Sequence, residues 1–235
     1  MSYPFYIIFG VLPSIIWLLF YLRKDTHPES SRMILKIFFY GMLIAFPAIL
    51  FEIGLLQEIK RFDFSPLIIS LLSVFVGVAM VEELLKYFVV KEKVLNSAEF
   101  DEPIDTVLYM IIAALGFAAA ENILILFSLG PAFVLEKTIS LSVFRFLGAT
   151  FLHVLASGIL GYFLAMSICQ TKYRGRLLLS GLVIAILLHG LYNFSIIELG
   201  GEASFFIPLI ILISSAIFLT AAFKKLKKLK SVCKI

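Results

Sequence analysis

Two adjacent glutamates, Glu82 and Glu83, stand in a stretch that is otherwise apolar enough to cross a membrane. A charged side chain at the centre of a bilayer costs about 3 kcal/mol or more. Such groups usually face the interior of a helix bundle or a water-filled cavity, and they usually serve a function there. A glutamate in such a place can act as a general base that removes a proton from water. The pair therefore predicts acid–base chemistry within the membrane.

Lys86 offers a structural explanation for part of this pair. It follows Glu82 by four residues, so the two side chains share one helix face and can form an ion pair. Neighbouring residues of a helix point about 100° apart, and we therefore expect Glu82 and Glu83 to face different surroundings. A structural ion pair and a catalytic role are equally good interpretations of Glu82. Glu83 is left without a structural explanation and is the preferred catalytic residue.

Two other apolar stretches carry candidate site residues, Glu121 in one and His153 in the other. Glu121 follows Gly116 and a run of alanines, small residues that allow helices to approach closely. It has no basic residue on its own helix and needs a partner such as a metal, a histidine or a shared proton. His153 is either a satisfied interior residue or a site residue. Arg145, two turns before His153, is interpreted as a snorkelling or pairing residue.

A further apolar stretch contains His189 and Asn193, which are four residues apart and share a helix face. A histidine can bind a metal, act as a base or donate to a developing oxyanion. An asparagine can donate to an oxyanion or orient the imidazole. The spacing alone is a weak signal, but polar residues of these types on four different apolar stretches make a stronger one.

The elements that position these residues are membrane-spanning helices. Hydrophobic residues make up 61% of the 235-residue chain and charged residues only 15%, against about 25% charged in a soluble domain. The basic residues gather in loops and at the C-terminus, which does not favour nucleic-acid binding. We predict an all-α, polytopic membrane protein with one domain over residues 1–235. Seven stretches of about 20 residues are long enough to cross a bilayer: 3–22, 33–55, 66–90, 107–129, 143–169, 177–198 and 203–223.

The distribution of lysine and arginine predicts the orientation. With the N-terminus outside, 14 of the 20 basic residues fall in cytoplasmic segments and 3 in outer loops. Because Arg23 and Lys24 follow the first apolar stretch instead of preceding it, that stretch is interpreted as an anchor rather than a signal peptide. Residues 224–235 are predicted to form a basic cytoplasmic tail that attracts anionic lipids, at about 1 kcal/mol per basic residue.

In these motifs the chain resembles the PrsW family of intramembrane proteases and, more distantly, the type II prenyl-protein endopeptidases and their bacterial relatives. The wider pattern has a Glu-Glu motif followed by a basic residue, then Phe-x-x-x-His, then a final histidine motif. The chain replaces the middle histidine with glutamate, as PrsW-like proteins do. The matching residues are Glu82-Glu83 with Lys86, Phe117-x-x-x-Glu121, His189-x-x-x-Asn193 and the run Trp17, Tyr21, Asp25, Pro28 and Glu29.

This resemblance implies a bacterial multi-pass membrane peptidase whose partner is a single-span membrane protein. In the PrsW family it implies the first cleavage of a membrane-anchored anti-sigma factor, which starts a stress response. The expected catalytic residues are Glu82, Glu83, Glu121, His153, His189 and Asn193.

Two mechanisms stay open. No cofactor is certain, but a divalent metal such as zinc could be held by Glu83, Glu121, His153 and His189 and activate a water. Alternatively, Glu83 activates water directly while His189 and Asn193 stabilise the oxyanion.

A depth estimate is at odds with a single site. Counted along the predicted spans, Glu83 lies about 10 Å from the cytoplasmic end, whereas Glu121, His153 and His189 lie about 20 Å from it. Two other classes of protein are also consistent with intramembrane acids and histidines. One is a proton- or ion-coupled transporter, although the chain shows no related halves of the kind that many transporters have. The other is a scaffold of the same fold that hydrolyses nothing.

Overall fold

The computed structural model describes residues 3–24, 27–130 and 135–229, and every regular element in these ranges is helical. A π-helical segment covers Ser73–Met80, and a 3₁₀ turn covers Thr171–Tyr173. The helices are α1 (Tyr3–Leu22), α2 (Ser31–Ile59), α3 (Pro66–Leu72), α4 (Val81–Lys93), α5 (Pro103–Ser128), α6 (Leu135–Leu147), α7 (Ala149–Cys169), α8 (Arg174–Glu198) and α9 (Ala203–Leu229).

Seven helical segments are long and apolar enough to cross a membrane, which confirms the predicted all-α bundle. Most extend beyond their predicted bounds because polar residues at a span's end continue the helix into the interface. The orientation and the single-domain organisation stay predictions. Residues 224–229 of the predicted tail continue α9, while 230–235, like Asp25 of the N-terminal motif, lie outside the described residues. The segments are Pro4–Leu22, Ser31–Ile59, Pro66–Lys93, Pro103–Ser128, Leu135–Cys169, Thr171–Glu198 and Ala203–Leu229.

Helix α5 forms the centre of the bundle, and almost every side chain from Pro103 to Ala120 is buried. Helices α1, α2 and α7 pack around it. Two glycines bring α2 and α5 into backbone contact: a Cβ atom on Gly41 would overlap the carbonyl of Ala113, and one on Gly116 would overlap the carbonyl of Phe38. Small residues allow such approach between membrane helices, where close packing replaces the hydrophobic effect as the driving force.

The predicted fifth span, 143–169, is not one continuous helix. The helix is interrupted at Gly148, whose φ of −106° and ψ of −94° separate α6 from α7. The hydroxyl of Tyr192 fills the space that a side chain at Gly148 would take. The break positions the end of α6, and with it Arg145, against the polar residues of α5.

The third span carries a feature that the sequence analysis did not predict. Eight residues before α4, Ser73–Met80, are π-helical. A π-turn adds a residue to the hydrogen-bonded ladder and is common at functional sites. It therefore changes the direction in which the following side chains point, and Glu82, Glu83 and Lys86 of α4 are all buried.

The contact between α2 and α5 gives a test of this packing. Gly41→Leu should lower the stability of the protein by about 1–3 kcal/mol or more, since the added side chain meets backbone that cannot move aside. Gly54→Leu, on the same helix but facing open space, is the matched control. Thermal unfolding in detergent compares the two variants, and equal melting temperatures would contradict the close approach.

Candidate active site

The side chain of Lys86 lies fully buried at the centre of a polar cluster. Its ammonium nitrogen is 2.8 Å from Glu83 Oε1, 3.1 Å from Glu82 Oε2 and 2.9 Å from His153 Nδ1. It also lies 4.5 Å from the centre of the Phe117 ring. An ammonium group has three N–H donors. Each one has an acceptor here, so the buried charge is fully satisfied.

We predicted that Glu82 and Glu83 face different surroundings, and for their carboxylate groups this prediction is wrong. Both groups reach Lys86, and Glu83 is the closer of the two. The two Cα–Cβ bonds diverge by about 100°, but a glutamate side chain has enough rotatable bonds to bring its carboxylate back to a shared cation. Pairing with Lys86 therefore does not set Glu82 apart as the structural member of the pair.

Glu83 is fully buried, and both of its carboxylate oxygens are engaged. Oε1 accepts from Lys86 and lies 3.0 Å from His189 Nδ1, while Oε2 accepts from Ser157 Oγ at 2.8 Å. Because a carboxylate accepts, Nδ1 of His189 carries the proton. The other ring nitrogen, Nε2, then has a free lone pair and lies 3.9 Å from Glu82 Oε2, beyond hydrogen-bond distance.

His153 is oriented in the same way by Glu121. Its Nδ1 accepts from Lys86, so Nε2 carries the proton and donates to Glu121 Oε2 at 3.0 Å. Arg145 of α6 completes the surroundings of Glu121, with Nη2 2.9 Å from the same oxygen. Among the partners predicted for Glu121, the structure therefore provides a histidine, and it adds an arginine from another helix. Arg145 also donates from Nε to Asn122.

Asn122 connects this side of the cluster to the bundle. Its amide nitrogen lies 3.1 Å from Thr150 Oγ1 on α7 and 3.3 Å from the carbonyl of Gly10 on α1. With Arg145 on its amide oxygen, one buried side chain links four helices: α1, α5, α6 and α7. The position of Glu121, the next residue on α5, is thereby defined.

The structure removes the conflict in depth that the sequence analysis found. The long side chains of Glu83 and Lys86 contact His189 and His153 directly, so all four belong to one site. A residue count along a helix gives the depth of a Cα atom and leaves out the reach of long side chains such as those of Glu83 and Lys86.

Asn193, in contrast, is not part of the contacted cluster. It lines a groove of about 180 Å³ between α6 and α8, beside Arg145 and Tyr192. Within the described ranges it makes no hydrogen bond to His189, although the two residues are one helical turn apart. A role in oxyanion stabilisation would need a substrate that reaches this groove.

One group of donors is arranged as a metal site would require. Glu82, His153 and His189 each offer one ligand atom, and these atoms all lie within 4.8 Å of one another. Glu82 Oε2 is 3.7 Å from His153 Nδ1 and 3.9 Å from His189 Nε2. This set differs from the predicted one, because Glu83 and Glu121 hold the far nitrogens of the two histidines instead of joining the group.

The donor set fits a catalytic zinc ion. Two histidines and a glutamate are a known set of protein ligands at catalytic zinc, and second carboxylates commonly hold such histidines by the other nitrogen. Tetrahedral ligands at zinc distances stand about 3.3 Å apart, so the three side chains would need to move together slightly. The ammonium of Lys86, close to two of the donors, would have to give up its bond to His153.

The sequence analysis missed Glu52, an acid within the second span. It is half-buried on α2 and lies close enough to interact electrostatically with Glu82, Glu121, Lys86 and His189. The signal that singled out Glu121, a carboxyl group in an apolar stretch, applies equally to Glu52.

Seven segments can cross a membrane, and four of the helices bring together two histidines, three glutamates and a lysine. These features define a membrane protein with an embedded polar site. Residues 29–221 match the family described as PrsW family intramembrane metalloprotease. The chain belongs to this family, as its motifs predicted, and is therefore a multi-pass bacterial membrane endopeptidase. This membership favours a peptidase over a transporter or a scaffold.

Individual relatives agree with the family match over most of their length. The chain is 31% identical to the Protease PrsW of Bacillus subtilis over 206 residues, which is 86% of this chain and 87% of the relative. It is 31% identical to the Protease PrsW of Geobacillus kaustophilus over 185 residues, 78% of this chain and 76% of the relative. The Protease PrsW of Oceanobacillus iheyensis is 30% identical over 188 residues, 79% of this chain and 80% of that protein. No solved structure matches the chain significantly.

The central position of Lys86 predicts a large effect of its removal. Lys86→Met should lower the free energy of unfolding by about 3–5 kcal/mol, because it leaves buried carboxylates without their cation. Lys91→Met, at an exposed position of the same helix, should have little effect.

Denaturant unfolding in detergent measures both variants. Combining Lys86→Met with Glu83→Gln should cost less than the sum of the single changes, because the second change removes one of the stranded charges. Strict additivity, or a Lys86→Met protein as stable as Lys91→Met, would contradict the central role of the ammonium.

Proposed function

We propose that this chain makes the first cut in a membrane-anchored anti-sigma factor and thereby starts a stress response. The proposal of hydrolysis rests on the two buried histidines. Each has one ring nitrogen bonded to a carboxylate, and its other ring nitrogen faces Glu82. The anti-sigma substrate rests on the resemblance to the PrsW family. A single-span protein is the natural substrate of a site enclosed by membrane helices.

We assign the residues of the site to two groups. Glu82, His153 and His189 would hold a divalent metal such as zinc, and Glu83 and Glu121 orient the two imidazoles. A bound divalent metal supplies an activated water and polarises the scissile carbonyl. Arg145 neutralises Glu121, and Lys86 balances the charge of the adjacent glutamates.

The alternative mechanism assigns water activation to Glu83 itself, with His189 and Asn193 at the oxyanion. It agrees less well with the geometry. Glu83 is fully enclosed with partners on both oxygens, and Asn193 lies apart in the groove beside α6. A base needs a free lone pair within reach of the water whose proton it removes.

Cleavage of a tagged single-span protein in proteoliposomes tests the proposed activity. Glu82→Gln, His153→Ala and His189→Ala should each lower the cleavage rate at least about 100-fold, since each removes a donor of the proposed site. Glu198→Gln is the matched control, because this glutamate is exposed at the end of α8 and accepts from Ser70. An anti-sigma factor that is cleaved equally well in cells lacking the protease would contradict the substrate assignment.

Metal dependence has its own test. A strong chelator should abolish cleavage and added zinc should restore it, while purified wild-type protein should carry about one metal ion per chain and His189→Ala markedly less. Elemental analysis measures the metal independently of activity. Cleavage that survives the chelator but is lost in Glu83→Gln would instead support the glutamate-activated mechanism.

A further inference from the structure

The strongest unexplained feature outside the assigned residues is Glu52. It lies on the face of α2 that carries Ala45 and Ala48, one turn beyond Ala48. These alanines are buried in a small apolar cluster with Val81 and Ala120. Val81 directly precedes Glu82, and Ala120 directly precedes Glu121. The face of α2 that carries the two alanines therefore points towards the site, and Glu52 is the next polar residue on that face.

The depth of Glu52 in the bundle agrees with this placement. Glu52 is seven residues before the end of α2 at Ile59, and Glu121 is seven residues before the end of α5 at Ser128. Glu29, just before α2, accepts from Tyr109 near the start of α5, and Ala48 packs with Ala120 farther along both helices. The two helices therefore run in the same direction, and both residues stand about 10 Å along the helix from the same side. Glu52 is half-buried, and the interaction of its charge with those of Glu82, Glu121, Lys86 and His189 agrees with a position near the site.

Glu52 differs from the other carboxyl groups of this region in that neither of its oxygens is engaged by a described residue. Glu82 is bonded to Lys86, Glu83 to Lys86, His189 and Ser157, and Glu121 to His153 and Arg145. Across residues 3–24, 27–130 and 135–229, Glu52 forms no hydrogen bond and no ion pair. A carboxyl group without a partner within the membrane costs free energy, and such groups usually have a function.

The charges around it argue against a structural role. Four carboxyl groups, Glu52 included, are arranged around two fixed cations, Lys86 and Arg145. Removing the charge of Glu52 would relieve repulsion from Glu82 and Glu121 and break no ion pair. Among the described residues, the fold therefore gains no hydrogen bond and no ion pair from this carboxyl group, and the repulsion outweighs the attraction to Lys86 and His189.

We infer that Glu52 is a further catalytic residue, which carries the proton between the attacking water and the leaving nitrogen. This inference rests on the proposed function. As the water oxygen bonds to the carbonyl carbon, one water proton passes to the Glu52 carboxylate. When the carbon–nitrogen bond breaks, Glu52 returns this proton to the departing nitrogen. The products are a carboxyl group and an amine, and Glu52 ends the cycle as it began.

The test compares Glu52→Gln, Glu52→Asp and Glu58→Gln with wild type in the proteoliposome cleavage assay. Glutamine keeps the shape of the side chain but cannot accept the proton, so kcat should fall about 10²–10⁴-fold with KM unchanged. Aspartate should retain an intermediate rate. Glu58 is exposed on the same helix and pairs with Arg61, and Glu58→Gln should match wild type.

Stability and metal content separate catalysis from structure. Glu52→Gln should melt at or above the temperature of wild type and bind the same amount of zinc. A kcat within about threefold of wild type, a loss confined to KM, or a lower melting temperature that accounts for the lost activity would each overturn the inference.

The outcomes also separate this inference from the proposed function. If wild type and Glu52→Gln cleave equally while Glu82→Gln does not, only the role of Glu52 is refuted. If wild type cleaves none of the tagged membrane proteins, the proposed function fails and this inference fails with it.

Discussion

The site depends on one fully buried cation. In a membrane-embedded bundle, the glutamates of α4 could not remain ionised side by side without a compensating charge. Lys86 supplies this charge and divides its three donors among Glu82, Glu83 and His153. Because a buried ammonium must satisfy every donor, its position determines where the carboxylates lie and which nitrogen of His153 carries a proton.

The remaining helices hold their residues against this centre by close packing and by shared polar contacts. Glycines on α2 and α5 let the two backbones touch, and Asn122 links α5 to α1, α6 and α7 through its amide group. Glu121 lies next to Asn122 and pairs with Arg145 of α6, the helix that the break at Gly148 separates from α7. The irregular elements of the fold, that break and the π-helical segment before α4, thus stand directly beside the site.

The arrangement separates supporting residues from residues available for chemistry. Glu83 and Glu121 each hold one nitrogen of a histidine, which defines the tautomer and directs the other nitrogen inward. Glu82 lies between the two inward nitrogens, and Glu52 stands near it with no hydrogen bond or ion pair in the part of the chain that the structure describes. Positioning by fixed hydrogen bonds lowers the reorganisation needed during the reaction, which is the main advantage of a preorganised site.

The sequence alone determined the class of structure, since seven long apolar stretches can be buried only in a membrane and polar residues within them are expensive there. It also identified most residues of the cluster, including Glu83, Glu121, His153 and His189. Only the tertiary structure decided how they combine: that both adjacent glutamates meet at Lys86, that Arg145 reaches Glu121, and that Asn193 lies apart. Helical periodicity gives the direction of a Cα–Cβ bond, but the ends of long side chains go where the charges of other helices place them. Glu52 was missed although the sequence signal that singled out Glu121 applies to it as well. Its position beside the site, and its lack of a hydrogen bond or ion pair among the described residues, are visible only in three dimensions.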